Sequence, residues 1–348
     1  MGTNLLTIKN ANLKAGRRVL LRADFNVPVN DKGEILDDKR IVDSLETIKY
    51  CLQKQVRLII CSHFGRPEGK PEPAYSLRPV YERLQRLLPA VKITFANDCV
   101  GAEVERQVAG LGNGEILLLE NTRFHAGETA NDHDFARQLA ALGDIFVSDA
   151  FGAVHRAHAS TVGVATYLPS YAGFLLEREI KVLSRLIKNP RRPFTVIMGG
   201  KKIADKLPLL IKLADIADYI LVGGKLAVDW QPLTEPHHAQ ILVAEGAAND
   251  ITPATVDAWE PIIAHSKTIF WNGPLGRFED PEYALGTQAV ATLLCRSKAL
   301  IVAGGGDTAA AVKGFRFDHV STGGGAALEF LQGVPLPGIA CLQSKGGK

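Results

Sequence analysis

Arg57-Leu-Ile-Ile-Cys61 is a short, unbroken apolar run, and Ser62-His-Phe-Gly-Arg66 follows it at once. A strand that is apolar on both faces belongs in a parallel sheet covered by helices, because only there does each face meet other side chains. Runs of the same kind begin at Val19, Val91, Glu115 and Asp144, and again at Phe194, Tyr219, Gln240, Thr268 and Ala299. Between them lie helical spacings such as Ile41, Leu45, Ile48 and Leu52, or Phe135, Leu139 and Leu142. This alternation predicts an α/β protein of two doubly wound parallel-sheet, Rossmann-like domains. Leu176, Ile180, Leu183 and Ile187 share one helical face, and Asn189-Pro190 closes the run, so an interdomain helix is expected over 173–189. The expected division is an N-terminal domain over 1–172, that helix, a C-terminal domain over 190–335 and a tail over 336–348. A ligand cleft between the domains, with hinge-bending about the helix, is expected.

At 348 residues the chain has the length for two domains, and its 46% hydrophobic and 22% charged residues are ordinary globular values that rule out global disorder. A formal charge of +3 is too small to mark a general nucleic-acid or membrane-surface binder, so any anion site must come from local clustering. No apolar run approaches the roughly 18 residues a spanning helix needs, and no basic leader opens the chain. A cytoplasmic protein, with no nucleic acid or membrane among its partners, is the expectation. The five cysteines, Cys51, Cys61, Cys99, Cys295 and Cys341, are odd in number, scattered and mostly within apolar runs, which reads as buried thiols in a reducing compartment.

Ligands of open parallel sheets bind outside the carboxyl ends of the strands. In the first half those ends are basic and polar: Arg22, Asp24 and Asn26, then His63 and Arg66, then Arg123 and His125, then His155, Arg156 and His158. Arg40, just before an amphipathic helix, can join them. Isolated arginines are mostly solvated surface. Several at one sheet edge instead fit a small polyanion, because the guanidinium fork matches phosphate and carboxylate bidentately.

In the second half the strand ends are glycine-rich: Gly199-Gly-Lys-Lys202, Gly223-Gly-Lys225, Trp271-Asn-Gly-Pro274, Gly304-Gly-Gly-Asp-Thr308 and Thr322-Gly-Gly-Gly325. A single glycine there only makes a tight turn. Recurring along one edge, glycines let backbone N–H groups and helix N-termini approach a nucleotide phosphate. The Walker pattern Gly-x-x-x-x-Gly-Lys-Ser/Thr is absent, while Gly304 to Ala309 fits the looser dinucleotide pattern Gly-x-Gly-x-x-Ala. His155-x-x-His158 has no third ligand at a local spacing and an arginine between its histidines, which favours anion binding or capping over a metal. His237-His238 reads as solvated surface.

Taken together, Leu21-Arg-Ala-Asp-Phe-Asn-Val-Pro28, Ser62-His-Phe-Gly-Arg-Pro67, Leu118-Leu-Glu-Asn-Thr-Arg-Phe-His125, Ser148-Asp-Ala-Phe-Gly152 with His155-Arg-Ala-His158, Trp271-Asn-Gly-Pro274 and Gly304-Gly-Gly-Asp-Thr308 resemble the phosphoglycerate kinases over nearly the whole chain. The resemblance implies a glycolytic and gluconeogenic phosphotransferase, acting as a monomer on 1,3-bisphosphoglycerate and MgADP to give 3-phosphoglycerate and MgATP. It implies that Asp24, Asn26, Arg40, His63, Arg66, Arg123 and Arg156 hold the phosphoglycerate, with Arg40, Lys202 and Lys206 serving the transfer itself. Lys202, Lys206, Gly223, Asn272, Pro274, Glu279, Gly304, Gly305, Gly306, Asp307, Thr308, Gly323, Gly324 and Gly325 would meet the nucleotide, Asp307 through Mg²⁺ and Glu279 at the ribose. Both partners of the transfer are ionised at pH 7, so positioning and charge neutralisation, without a general base, are expected to carry it.

The sequence departs from the family pattern in the nucleotide half. The stretch from Gly224 to Trp271 is much shorter than usual and lacks the helices that cover the adenine, Lys225 replaces a glycine, and Lys201 and Arg277 stand where small residues are usual. Two other readings follow. A catalytically weak relative acting as an anion-binding or regulatory protein would fail to bind nucleotide, and a dinucleotide-dependent oxidoreductase would need a ribose-binding acid that nothing here supplies.

Overall fold

The computed structural model describes residues 5–200, 203–246 and 249–343, with the side chains of 203–205 left aside. The chain divides into two compact units between Glu179 and Ile180, and returns to the first at Pro335.

The first unit is built on a six-stranded sheet of β1 (Arg18–Ala23), β2 (Arg57–Cys61), β3 (Ile93–Phe95), β4 (Ile116–Leu118), β5 (Ile145–Asp149) and β6 (Ser170–Ala172), in the order β3-β4-β2-β1-β5-β6. Every pairing between these strands is parallel. Alternation along each strand divides its apolar residues between two cores. Val19, Leu21, Leu58, Ile60 and Val147 face one core with Ile41, Ile48 and Cys51 of the helix Lys39–Gln53. Leu20, Ile59, Leu117 and Phe146 face the other with Val104, Val108, Phe135 and Leu139, from the helices Ala102–Ala109 and His133–Ala141. Burying such a side chain fully contributes about 1.5–3 kcal/mol, which is why both faces of the sequence runs are apolar.

The second unit repeats the plan with β7 (Phe194–Met198), β8 (Tyr219–Val222), β9 (Gln240–Val243), β10 (Thr268–Asn272), β11 (Leu300–Gly304) and β12 (His319–Ser321), in the order β12-β11-β10-β7-β8-β9 and again wholly parallel. Ile197, Leu221, Ile269, Trp271 and Ile301 pack with Trp259 and Ile263 of the helix Pro253–His265 and with Val290 and Leu294 of Leu285–Arg296.

Every apolar run read as a strand is one, with ends shifted by a residue or two. Two strands had no such signal. Ser170–Ala172 and His319–Ser321 are three-residue edge strands, too short and too polar to show a pattern. The β6 edge is covered by the chain's own ends: Ala172 N–H donates to Leu6 O at 2.8 Å, and Leu6 N–H donates to Leu342 O at 3.3 Å. The helix Phe174–Lys188 stops at the expected Asn189-Pro190 and runs across the division between the units. Its first turn is anchored by Phe174 N–H on Thr47 Oγ1 at 2.9 Å and Leu176 N–H on Asp149 Oδ1 at 3.1 Å.

The thiols depart from expectation at one end of the range. Cys51, Cys61 and Cys99 are buried and Cys341 is half-buried, but Cys295 is exposed, because it lies near the end of its helix on the face away from the core. Among the described residues no helix is long and apolar enough to cross a membrane. After β8 only the four-residue helix Lys225–Val228 precedes an irregular path to β9, and Leu207, Ile211 and Val228 remain exposed beside it.

Candidate active site

The carboxyl ends of β1, β2 and β4 gather the basic residues of the first unit. Asp24, just past β1, is buried, and Arg40 at the start of its helix reaches it with Nη1 at 3.0 and 3.1 Å from the two carboxylate oxygens. The same Nη1 donates to Asn26 O at 3.1 Å, and Asn26 Oδ1 accepts from Gly65 N–H at 2.9 Å. Arg123 lies nearly buried in the 3-10 turn Thr122–Phe124 and donates Nη1 to Gly65 O at 2.7 Å. Asn121 fixes that turn. Its Nδ2 donates to Phe64 O and Tyr75 O at 2.7 and 2.9 Å, and its Oδ1 accepts from Phe64 N–H and Arg123 N–H at 3.1 and 3.0 Å.

His63 is buried and accepts at Nδ1 from Arg22 Nη2 at 2.9 Å. Since arginine only donates, the neutral ring must carry its proton on Nε2. Burial first, then the charges of Arg22, Arg123 and Arg40, hold its pKa well below the usual value, so it stays neutral at pH 7. Arg123 is pushed down to about 10 by burial and by Arg156, Arg22 and Arg66, which brings Arg66 and Arg156, both exposed, within electrostatic reach of it. Neighbouring guanidinium groups thus act on Arg123 against the opposing charge of Glu128.

Beneath this edge runs a buried network that sequence reading missed. Arg22 is fully buried, and its Nε donates to Ser160 Oγ at 2.8 Å while Nη1 bonds Ala23 O. Ser160 donates from N and Oγ to Glu128 at 2.9 and 2.6 Å, and Glu128 is itself fully buried. His158 Nδ1 lies 3.8 Å from Glu128, and its pKa falls to about 4 through burial and then the charges of Arg123 and Arg22. No local motif joins positions 22, 128 and 160; only the sheet brings them together. Arg22 itself is legible as a strand-end arginine, and its distinction is burial.

In the second unit β7 runs on to β8 and β9 on one side, while β10, β11 and β12 lie on the other, so the β7/β10 boundary is the topological switch point. The glycines divide into two kinds here. Gly199 and Gly273 sit where backbones touch: Gly199 N–H donates to Asn272 O at 2.9 Å, and a Cβ on either glycine would come within 2.2 Å of a carbonyl oxygen of the opposite loop. Gly223 is packed against Leu275, Ile251 and Trp259, and Gly304 against Phe270. Gly306 and Gly324 are different, since a Cβ there would meet nothing within 4 Å. Gly305 at φ +99° turns the chain into the short helix Gly306–Ala311, and Gly324 at φ +51° turns it into Gly325–Gln332, behind Gly323.

Thr308 is buried. It donates Oγ1 to Gly304 O and accepts from Gly273 N–H, both at 2.7 Å. Asn272 Nδ2 also donates to Gly304 O at 2.7 Å, leaving its buried Oδ1 without a partner. Lys206 Nζ bonds Gly199 O and lies 3.5 Å from Asn272 O. Burial pushes its pKa down to about 8, against the opposing pull of Asp307. Asp307 is exposed in the first turn after β11, a hard oxygen donor beside an open glycine loop and therefore a group that fits Mg²⁺ shared with phosphates. Pro274 O accepts from Gly200 N–H at 2.9 Å, and Glu279 is exposed further along the same loop. Lys201 and Lys202 lie outside the described residues. Arg277 is turned to its own loop, 3.6 Å from Asp280 and over the Tyr283 ring at 5.2 Å.

His237 and His238 are exposed, as read from the sequence, and His238 stands 3.4 Å from Asp218. On the path from β8 to β9 a hollow of about 360 Å³ is lined by Leu207, Ile211, Pro232 and Leu233.

A cation-lined edge on one α/β unit and an open glycine edge at the switch point of another define a class, the two-unit α/β phosphate-handling proteins. Within that class the chain belongs to the phosphoglycerate kinase family, a family of enzymes: the family model described as "Phosphoglycerate kinase" matches residues 8–235 and 231–334. Phosphoglycerate kinase of Fervidobacterium nodosum is 43% identical over 397 aligned residues, covering 98% of each chain. That of Desulforudis audaxviator is 42% identical, covering 97% of this chain and 99% of its own. Among solved structures, phosphoglycerate kinase from Coxiella burnetii superposes with a TM-score of 0.81 at 34% identity, covering 97% of this chain and 98% of that one. The Pyrococcus horikoshii structure gives 0.83 at 27% identity, with the same coverage. The alignment to the Fervidobacterium sequence is longer than the 348-residue chain, and the family match breaks near residue 231, inside the stretch read as shortened.

Proposed function

We propose that the chain catalyses the reversible transfer of a phosphoryl group between 1,3-bisphosphoglycerate and MgADP, giving 3-phosphoglycerate and MgATP. The observation that carries this reading is the gathering of guanidinium groups at the first sheet's edge: Arg66 and Arg156 act on Arg123, Arg123 and Arg40 act on a neutral His63, and Asp24 is already taken by Arg40. A ligand carrying several negative charges would offset their charge. Arg66, Arg123 and Arg156 would pair with its phosphate and carboxylate, His63 would donate from Nε2, and Asp24 and Asn26 would accept from its hydroxyl.

On the second unit, the loops of Gly305, Gly306, Gly323, Gly324 and Gly325, open at Gly306 and Gly324, would receive the nucleotide phosphates, with Thr308 holding the loop's shape. Gly223, Asn272, Pro274 and Glu279 would border the nucleoside, Glu279 at the ribose. Mg²⁺, held by Asp307, would neutralise charge on the phosphates when bound. The attacking ADP oxygen and the leaving carboxylate are both ionised, so no side chain has a proton to move. Arg40, Lys202 and Lys206 would offset charge on the phosphoryl group in transit. Lys206, at a pKa of about 8, is still mainly cationic at pH 7 and is held beside the loop it would serve.

A monomer acting on small molecules in the cytoplasm completes the reading. The test is 3-phosphoglycerate-dependent ATP turnover with Mg²⁺, coupled to removal of 1,3-bisphosphoglycerate, with GTP in parallel. Robust turnover is expected, with a GTP to ATP ratio that reports how far the shortened stretch has relaxed base selection. No turnover from folded protein with either nucleotide would overturn the reading. It would favour the second one, an anion-binding relative without transfer, which the break in the family match motivates.

A further inference from the structure

The loops that leave β3 and β4 carry a second group of chemistry-bearing side chains, outside those assigned to the reaction. Asp98 and Cys99 follow β3, and His125 follows the Thr122–Phe124 turn after β4. One ligand atom from each, a carboxylate oxygen, Sγ and an imidazole nitrogen, lies within 4.8 Å of the other two. We propose that Asp98, Cys99 and His125 form a binding site for a borderline-soft divalent cation of the zinc class, with water as a fourth ligand.

The donor set is the first argument. Thiolate, imidazole and carboxylate together select zinc and its neighbours over magnesium or calcium, which take oxygen alone. Geometry is the second. Bonds of about 2.3 Å to sulfur and about 2.0 Å to nitrogen and oxygen place tetrahedral ligand atoms roughly 3.3–3.8 Å apart. The three ligand atoms lie within 4.8 Å of one another, so shifts of about 1 Å would bring them to that spacing. The His125 Nε2 to Asp98 Oδ1 distance of 2.6 Å is that of a hydrogen bond and must open by about 1 Å to admit an ion.

The surroundings are the third argument. The acids Asp98 and Glu128 both act electrostatically on the Cys99 thiol. His125 is held in orientation by stacking on Phe135, at 4.9 Å between centroids and 23° between planes. Asp98 O accepts from Glu120 N–H at 3.3 Å, which ties the two ligand loops together behind the site. Asp98 is half-exposed, so solvent reaches the ligand atoms from its side.

Binding is balanced by one proton. The cation forms a bond to Cys99 Sγ, the thiol proton leaves to solvent, and His125 and Asp98 bind as neutral imidazole and carboxylate.

The experiment is titration of the full chain with Co²⁺ alone, read as a thiolate-to-cobalt charge-transfer band and reversed by Zn²⁺. One equivalent should give the band, and Zn²⁺ should raise the thermal midpoint. His125→Gln and Asp98→Asn, at partly exposed positions that should tolerate replacement, should each weaken binding at least tenfold and abolish the zinc-induced shift. Cys295→Ser, which removes the exposed thiol, should leave the band intact. The proposal is overturned if no band forms, if the band survives both His125→Gln and Asp98→Asn, or if it is lost with Cys295→Ser. None of these readouts depends on phosphoryl transfer.

Discussion

The two sheets share a plan and differ at their working edges. The first presents fixed side-chain charges above a buried support of Arg22, Ser160 and Glu128; the second presents backbone, shaped by glycines and pinned by Thr308 and Asn272. The difference follows from what each can discriminate. Guanidinium forks on fixed turns read the shape of a small anion, whereas backbone N–H groups at helix starts accept any phosphate chain that fits the loop. The first edge is therefore vulnerable to loss of charge, and the second to gain of a single carbon.

The largest expected effect is on the charge side. Arg40→Ala should lower turnover by about 10²–10³-fold, the usual cost of deleting one group that stabilises transition-state charge. Its thermal midpoint should fall too, because buried Asp24 loses its partner, so turnover is compared well below the variant's midpoint. Parallel kinetics and melting curves check this, and unchanged turnover would remove Arg40 from the transfer.

A pair of glycine substitutions breaks the second edge in two distinct ways. Gly273→Ala places a Cβ 2.2 Å from Gly199 O at a φ of +90°, so it should destabilise the second unit by about 3 kcal/mol or more. Gly306→Ala meets nothing within 4 Å, so denaturant titration should find stability within about 1 kcal/mol of the parent while ADP affinity falls. If both variants behave alike, the division of the glycines into packed and open kinds is wrong.

Asp149 and His158 sharpen the comparison through pH. Burial raises the Asp149 carboxyl from its ordinary range to about 6 in the folded chain, with its bonds to Thr47 and Leu176 opposing. The folded state thus holds a proton that the unfolded state releases, so this group's contribution falls as pH rises from about 4 to 6, by roughly 3 kcal/mol. His158 has the opposite sign. Its folded value of about 4 lies below 6.5, so its contribution is full above pH 6.5 and is lost as pH falls toward 4. Urea midpoints between pH 4 and 7 should rise more steeply with pH in Asp149→Asn than in the parent, and less steeply in His158→Gln.

The smallest effect concerns Lys206. As pH rises through about 8 its charge is lost, and ADP affinity should weaken there in the parent but not in Lys206→Met, whose affinity should be uniformly low. Isothermal titration across pH 7 to 9 reads both.

Sequence by itself determined the sheet strands that are buried on both faces, since a run such as Leu58-Ile-Ile60 has no other stable environment. It also located the two edges, because strand ends in parallel sheets are where polar residues must emerge. The edge strands Ser170–Ala172 and His319–Ser321 stayed hidden, being defined by pairing rather than by composition. Tertiary structure alone decided which glycines are packed and which stand open, that Arg22 is buried on Glu128 through Ser160, and that Asp98 and Cys99 meet His125 across neighbouring strands. The reason is one of range: periodicity and composition act over a few residues, whereas these contacts join positions tens of residues apart, through the parallel crossovers that order each sheet.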